Sequence, residues 1–129
     1  MKKEIKLLLV NDNEYAHTML KRLAQNSKIA FSFDHAYNGK EAVDKIKLGN
    51  SYDAILMNIE MPLMNGLFAT RKIRELGYAK PILAWSAHFR FFMWEACQKA
   101  GMDEYIDTWG TDMLEDVIVG LIKCKVITL

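Results

Sequence analysis

Apolar positions along this chain change period again and again, and the changes mark its elements. Ile5 to Val10 is a short apolar run closed by Asn11-Asp12-Asn13, a turn-forming cluster. A run of that length flanked by turn residues suits a strand buried on both faces of a parallel sheet. From Glu14 to Ala24 the period lengthens: Tyr15, Met19, Leu20 and Leu23 recur at three- and four-residue spacing with Lys21 and Arg22 between them. That is an amphipathic helix, with Asn13 placed to cap it.

The alternation repeats. A strand is predicted near Ala30 to His35, a turn at Asn38-Gly39, a helix through Ala42, Val43 and Ile46, and a strand from Tyr52 to Met57. A helix over Leu67 to Leu76, a strand over Ile82 to Trp85 after Pro81, and a helix over Phe91 to Ala100 closed by Gly101 come next. A strand near Tyr105 and a helix from Asp112 to Lys123 complete five of each. Strands alternating with helices at this period form parallel βαβ units, so the expected fold is α/β, an open doubly wound sheet. With 129 residues, 51% of them hydrophobic, residues 1–129 read as one domain with a core of its own.

Charge narrows the classes of function. The formal net charge is +1, with lysines and arginines scattered, so neither a nucleic-acid footprint nor a polybasic membrane strip is present in the sequence. No apolar run reaches membrane-spanning length, no signal peptide is evident, and Cys97 and Cys124 lack metal-ligand spacing. The default expectation is a cytoplasmic chain. His17, His35 and His88 are too far apart in sequence to form a recognisable metal signature, no cofactor motif appears, and Met19, Met57 and Met102 read as core filler.

In a doubly wound sheet the site lies beyond the carboxyl ends of the strands, which directs attention to Asn11, Asp12, Asn58, Ser86 and the residues just after Tyr105. The segments Leu8-Leu9-Val10-Asn11-Asp12-Asn13-Glu14, Asn38-Gly39-Lys40-Glu41-Ala42, Tyr52-Asp53-Ala54-Ile55-Leu56-Met57-Asn58, Met61-Pro62-Leu63-Met64-Asn65-Gly66, Ser86-Ala87-His88 and Ala100-Gly101-Met102-Asp103-Glu104-Tyr105 occur in that order. Together they resemble the receiver domain of two-component response regulators, from about Ile5 to Cys124, in the style found in hybrid kinases and phosphorelays. The resemblance implies a CheY-like, flavodoxin-like (βα)5 sandwich with strand order 2-1-3-4-5.

The resemblance also implies a mechanism: phosphoryl transfer from histidine to an aspartate at the end of the third strand, with Mg²⁺ held by that aspartate and an acidic pair after the first. Here the acceptor position holds Asn58, whose amide has no anionic oxygen to attack phosphorus. The first acid of the pair is Asn11 and only Asp12 remains, a poor donor set for a hard cation, so no metal is expected there. The lysine that pairs with the phosphoryl group aligns with Thr108, and the proline after it with Trp109. Ser86 and Tyr105 match the hydroxyl and the aromatic that respond to phosphorylation. The losses cohere, since two carboxylates about 5 Å apart at an effective dielectric near 20 repel by roughly 3 kcal/mol, and amides remove that repulsion.

The resulting expectation is a degenerate receiver, not an enzyme and needing no cofactor, that acts through protein contacts without phosphorylation. Its expected partner is a histidine kinase, a phosphotransfer or effector domain, or a second copy, docking on the face of the fourth helix, fifth strand and fifth helix. Two alternatives stay open: a receiver phosphorylated elsewhere, at Ser86 or Asp12, and a pocket that binds a small molecule. The aromatic run Phe89-Arg90-Phe91-Phe92-Met93-Trp94 is the expected interface, with Trp109 on the same side. If Met93, Ala96, Cys97 and Ala100 face the sheet, Phe91 and Phe92 face solvent. The competing reading packs these rings over the pocket or between the last two helices.

Overall fold

A computed structural model describes residues 4–86, 90–106 and 112–128. The chain alternates β1 (Ile5–Val10), α1 (Glu14–Ala24), β2 (Phe31–Ala36), α2 (Gly39–Lys47), β3 (Ala54–Met57), α3 (Gly66–Glu75), β4 (Ile82–Ala84), α4 (Trp94–Ala100), β5 (Glu104–Tyr105) and α5 (Met113–Lys123). All strand pairs are parallel, in the order β2-β1-β3-β4-β5, as the resemblance implies.

Each strand's period of two divides its side chains between two cores. Leu8, Val10, Ile55, Met57, Ile82 and Ala84 pack on one side, with Ala42 and Val43 of α2, Ala69 and Ile73 of α3, and Cys97 of α4. Leu7, Leu9, Ala54, Leu56 and Leu83 pack on the other, with Ala16 and Leu20 of α1 and Val117 and Leu121 of α5. Both faces of the strands are covered, as a parallel sheet requires.

Side-chain caps set most helix starts. Asn13, Asn38, Asn65 and Asp112 each accept a hydrogen bond from a backbone N–H in the first turn of the helix they precede. The two Asn-Gly pairs are therefore helix starts and not positive-φ turns: neither Gly39 nor Gly66 has positive φ. Each follows a capping asparagine and is small because another backbone lies against it, the Met64 carbonyl at Gly39 and the Asn58 carbonyl at Gly66.

The region after β4 departs most from expectation. Residues 91–93 form a separate 3₁₀ turn, and the α-helix begins only at Trp94. Arg90 makes no side-chain cap bond, and aromatic residues are only middling helix formers, so nothing local draws the α-helix back to Phe91. Met93 and Trp94 pack on the first core, and Cys97 and Ala100 are buried, but Ala96 is exposed rather than facing the sheet. Phe91 and Phe92 stand 78% and 82% exposed, which excludes both packing readings for those two rings. Gly101 ends α4 with φ 114°, as its place in the sequence suggested.

Trp94 has a different setting from its neighbours. Its ring meets that of Tyr105 edge-on at 5.4 Å between centroids, tying α4 to β5. A half-buried indole in such a contact stabilises through both area and ring geometry. Trp94→Ala should therefore cost about 2 kcal/mol in chemical denaturation.

Across the sheet, the Tyr52 hydroxyl donates to Asp34 Oδ2 at 2.6 Å and Lys45 Nζ reaches Asp34 Oδ1 at 3.0 Å. Burial raises the Asp34 carboxyl, yet these bonds and the His35 N–H outweigh it and hold the group below its ordinary 3.8. A carboxyl depressed in the folded state stabilises fully above its unfolded value, and that stabilisation vanishes as pH falls through the folded one. Melting temperatures measured from pH 5 down to pH 2 should consequently fall more steeply for the wild type than for Asp34→Asn.

Candidate functional site

Val10, Met57, Ala84 and Tyr105 lie in one register row at the carboxyl ends of β1, β3, β4 and β5. One step beyond come Asn11 and Asn58, held by the Asn11 N–H to the Ala36 carbonyl (3.1 Å) and the Asn58 N–H to the Val10 carbonyl (2.8 Å). Ser86 is buried two residues past β4. The sheet thus gathers Asn11, Asp12, Asn58, Ser86 and Tyr105 at one edge. Phe89, Thr108 and Trp109 lie outside the described residues.

The polar groups of this edge are turned toward each other. Asn58 Nδ2 donates to Asp12 Oδ1 at 3.1 Å and to the Glu60 carbonyl at 3.2 Å, while its Oδ1 accepts the Ile59 N–H at 2.9 Å. Two acceptors on one side and a donor on the other fix which end of the amide is nitrogen. Asn11 Oδ1 accepts the Asn13 N–H at 2.9 Å, and Asn13 in turn caps α1.

This donor set does not suit the Mg²⁺ that the resemblance implies. A hard cation needs several converging oxygens. Here the amide hydrogens of Asn58 point at Asp12, the oxygen of Asn11 is engaged by its own turn, and among the described residues no three His, Cys, Asp or Glu side chains are grouped to hold a metal. Tyr105 carries its ring against Trp94.

The loop that follows is tightly built. The Gly66 N–H donates to the Ile59 carbonyl at 2.7 Å, and a side chain at Gly66 would meet the carbonyl of Asn58. Within the loop the Met64 N–H bonds back to the Pro62 carbonyl at 2.7 Å, with Leu63 between them at φ 67° and exposed. Leucine in that region is under strain.

A second polar locus escaped the spacing argument. His17 is only 2% exposed, and its Nδ1 lies 2.9 Å from Nδ1 of His35, while its Nε2 lies 2.7 Å from the Asn11 carbonyl. Burial, followed by the coulombic influence of His17 and Lys21, pulls His35 below its ordinary 6.5 against Asp34 and Glu14. The pair opens onto a cleft of about 430 Å³ bordered by Glu14, Lys21, Arg22 and Tyr37. A signal for it existed: His17 falls one residue after Ala16 and three before Leu20, on the inward face of α1, where an imidazole must find a polar partner.

Known proteins share both sequence and fold with this chain. The chain is 34% identical over 107 residues to the osmosensing histidine protein kinase SLN1 of Saccharomyces cerevisiae, covering 79% of this chain and 9% of that one. It is 33% identical over 105 residues to the two-component response regulator ORR41 of Oryza sativa, covering 81% and 83%. The chain thus spans only a small part of the length of some relatives it matches, 15% in the two-component system protein A of Emericella nidulans.

Among solved structures, the Vibrio cholerae chemotaxis protein CheY4 superposes with a TM-score of 0.79 at 19% identity, over 95% of this chain and 99% of that one. The receiver domain of the Arabidopsis thaliana histidine kinase CKI1, complexed with Mg²⁺ and BeF₃⁻, gives 0.74 at 24%, over 94% and 89%. These two establish the fold. The model of the response regulator receiver domain family matches residues 7–110, and with that match the chain belongs to this family, the receiving module of two-component signalling.

Proposed function

We propose that this receiver domain works as a pseudo-receiver, exchanging contacts with a protein partner without being phosphorylated at the usual position. One observation carries the reading: at Asn58, the position to which the resemblance assigns the acceptor, the side chain is already committed to Asp12, the Glu60 carbonyl and the Ile59 N–H. An amide nitrogen with its lone pair delocalised is no nucleophile, and its hydrogens point at Asp12 and the Glu60 carbonyl. The edge is a closed polar network rather than an electrostatic trap for phosphate.

The surface supports the second half of the reading. Phe91 and Phe92 lie side by side on the 3₁₀ turn ahead of α4, both more than three-quarters exposed. Adjacent exposed rings on a folded domain are the usual material of a contact surface. The partner is a histidine kinase, a phosphotransfer or effector domain, or a second copy of this chain, meeting the α4–β5–α5 face, and its regulation is partner occupancy.

The CKI1 receiver was captured with Mg²⁺ and BeF₃⁻. Added together to this chain, the same pair should leave the amide NMR spectrum unchanged. Saturable shifts around Asn58, Ser86 and Tyr105 would show a working pocket and sink the proposal.

For the surface, the double change Phe91→Ala and Phe92→Ala should weaken self-association or capture of a cognate kinase or phosphotransfer domain by at least about tenfold, the scale of an aromatic hot spot. Its melting transition should stay close to the wild type's, within about 1 kcal/mol, because both rings are exposed. Undiminished binding would rule out this surface.

A further inference from the structure

The pair formed by His17 and His35 has no part in the receiver chemistry, yet it is the most specific polar arrangement among the described residues outside the strand edge. Its protons can be placed. The Asn11 carbonyl can only accept, so His17 Nε2 carries the hydrogen of that 2.7 Å bond. A neutral His17 then presents its lone pair at Nδ1, and His35 fills the 2.9 Å gap with its own Nδ1–H. The orientation of His17 matches a familiar outer-shell device, in which a ligating imidazole donates its other N–H to a backbone carbonyl.

We propose that Nδ1 of His17 and Nδ1 of His35 form a two-nitrogen seat for a divalent transition-metal ion, Cu²⁺ or Ni²⁺ ahead of Zn²⁺. The spacing supplies the ranking. With metal–nitrogen distances of roughly 2.0–2.1 Å, donors 2.9 Å apart subtend an angle of about 90° at the ion. That angle belongs to tetragonal or octahedral coordination, whereas a tetrahedral ion would need the rings to part by roughly 0.4 Å. Imidazole nitrogens suit all three ions, and affinity rises from Ni²⁺ to Cu²⁺ and drops again at Zn²⁺.

Entry of the ion breaks the Nδ1–H bond of His35 and the hydrogen bond it makes to His17, and an Nε2–H bond forms on His35 in its place. His35 passes from the Nδ1–H to the Nε2–H tautomer by exchange with solvent, which its half-buried position permits, and His17 keeps its hydrogen on the Asn11 carbonyl. The remaining coordination positions open onto the cleft. Glu14 borders that cleft, so its carboxylate is a third donor after a side-chain rotation. As no three-ligand group is assembled among the described residues, the seat is an exchangeable one rather than a structural site. Occupancy would clamp α1 to β2 through His17, whose Nε2–H reaches the Asn11 carbonyl.

The metal ions themselves are the probe, added to the intact chain near pH 7. With Zn²⁺, imidazole ¹⁵N NMR of the wild type should show the Nδ1 resonances of His17 and His35 shifting together, saturating at one equivalent. Cu²⁺ and Ni²⁺ at a hundredfold excess over their Kd should raise Tm by about 5 °C or more. His35→Gln, which keeps a hydrogen-bonding group toward His17, should weaken binding at least about tenfold while retaining the wild-type near-UV circular dichroism. Shifts confined to His88 or the terminal amine, or an Nδ1–H···Nδ1 proton signal that persists at saturating metal, would overturn the proposal and leave a plain histidine–histidine hydrogen bond. The NMR measurement needs no variant, so the outcome stands even if His35→Gln fails to fold.

Discussion

Burial of the strand row Ala36, Val10, Met57 and Ala84 is the constraint on which the rest of this domain depends. A parallel sheet exposes neither face, so its central strands are apolar along their covered stretches, Leu7–Val10 and Ala54–Met57, and the helices must cover both sides. Polarity can return only where the strands end. Asn11 and Asn58 are the first polar residues after β1 and β3, and both are held by backbone bonds to the neighbouring strand. The chemistry of the edge is thus placed by hydrophobic burial, whatever side chain happens to occupy it.

That constraint explains what was legible in the sequence. Uninterrupted apolar runs such as Leu7 to Val10 and Ala54 to Met57 mark central strands without regard to tertiary context, and the alternation with amphipathic helices leaves few topologies. The segment from Phe89 to Trp94 was legible only in part, because helix periodicity cannot tell an α-helix from a 3₁₀ turn that leads into one. Ala96 illustrates the result: once the α-helix starts at Trp94, its inward residues are Cys97 and Ala100, and Ala96 turns outward. The two histidines were hidden for another reason. Eighteen residues separate them along the chain, and only the β1–β2 pairing sets the end of β2 beside α1.

Hydrogen bonding at the edge shows how an amide occupies this place without a penalty. A buried or half-buried polar group is costly only when its donors and acceptors go unmet. Asn58 finds acceptors in Asp12 and Glu60 for its amide hydrogens and a donor in Ile59 for its oxygen. Asp12 then has a neutral donor as neighbour instead of a like charge.

Gly66 separates shape from chemistry in this domain. Its missing side chain lets the loop close against the carbonyl of Asn58, and that closeness involves backbone alone. Whatever side chain stands at position 58, the turn behind it is shaped the same way. The backbone shape of this loop is therefore independent of the side chain displayed beside it.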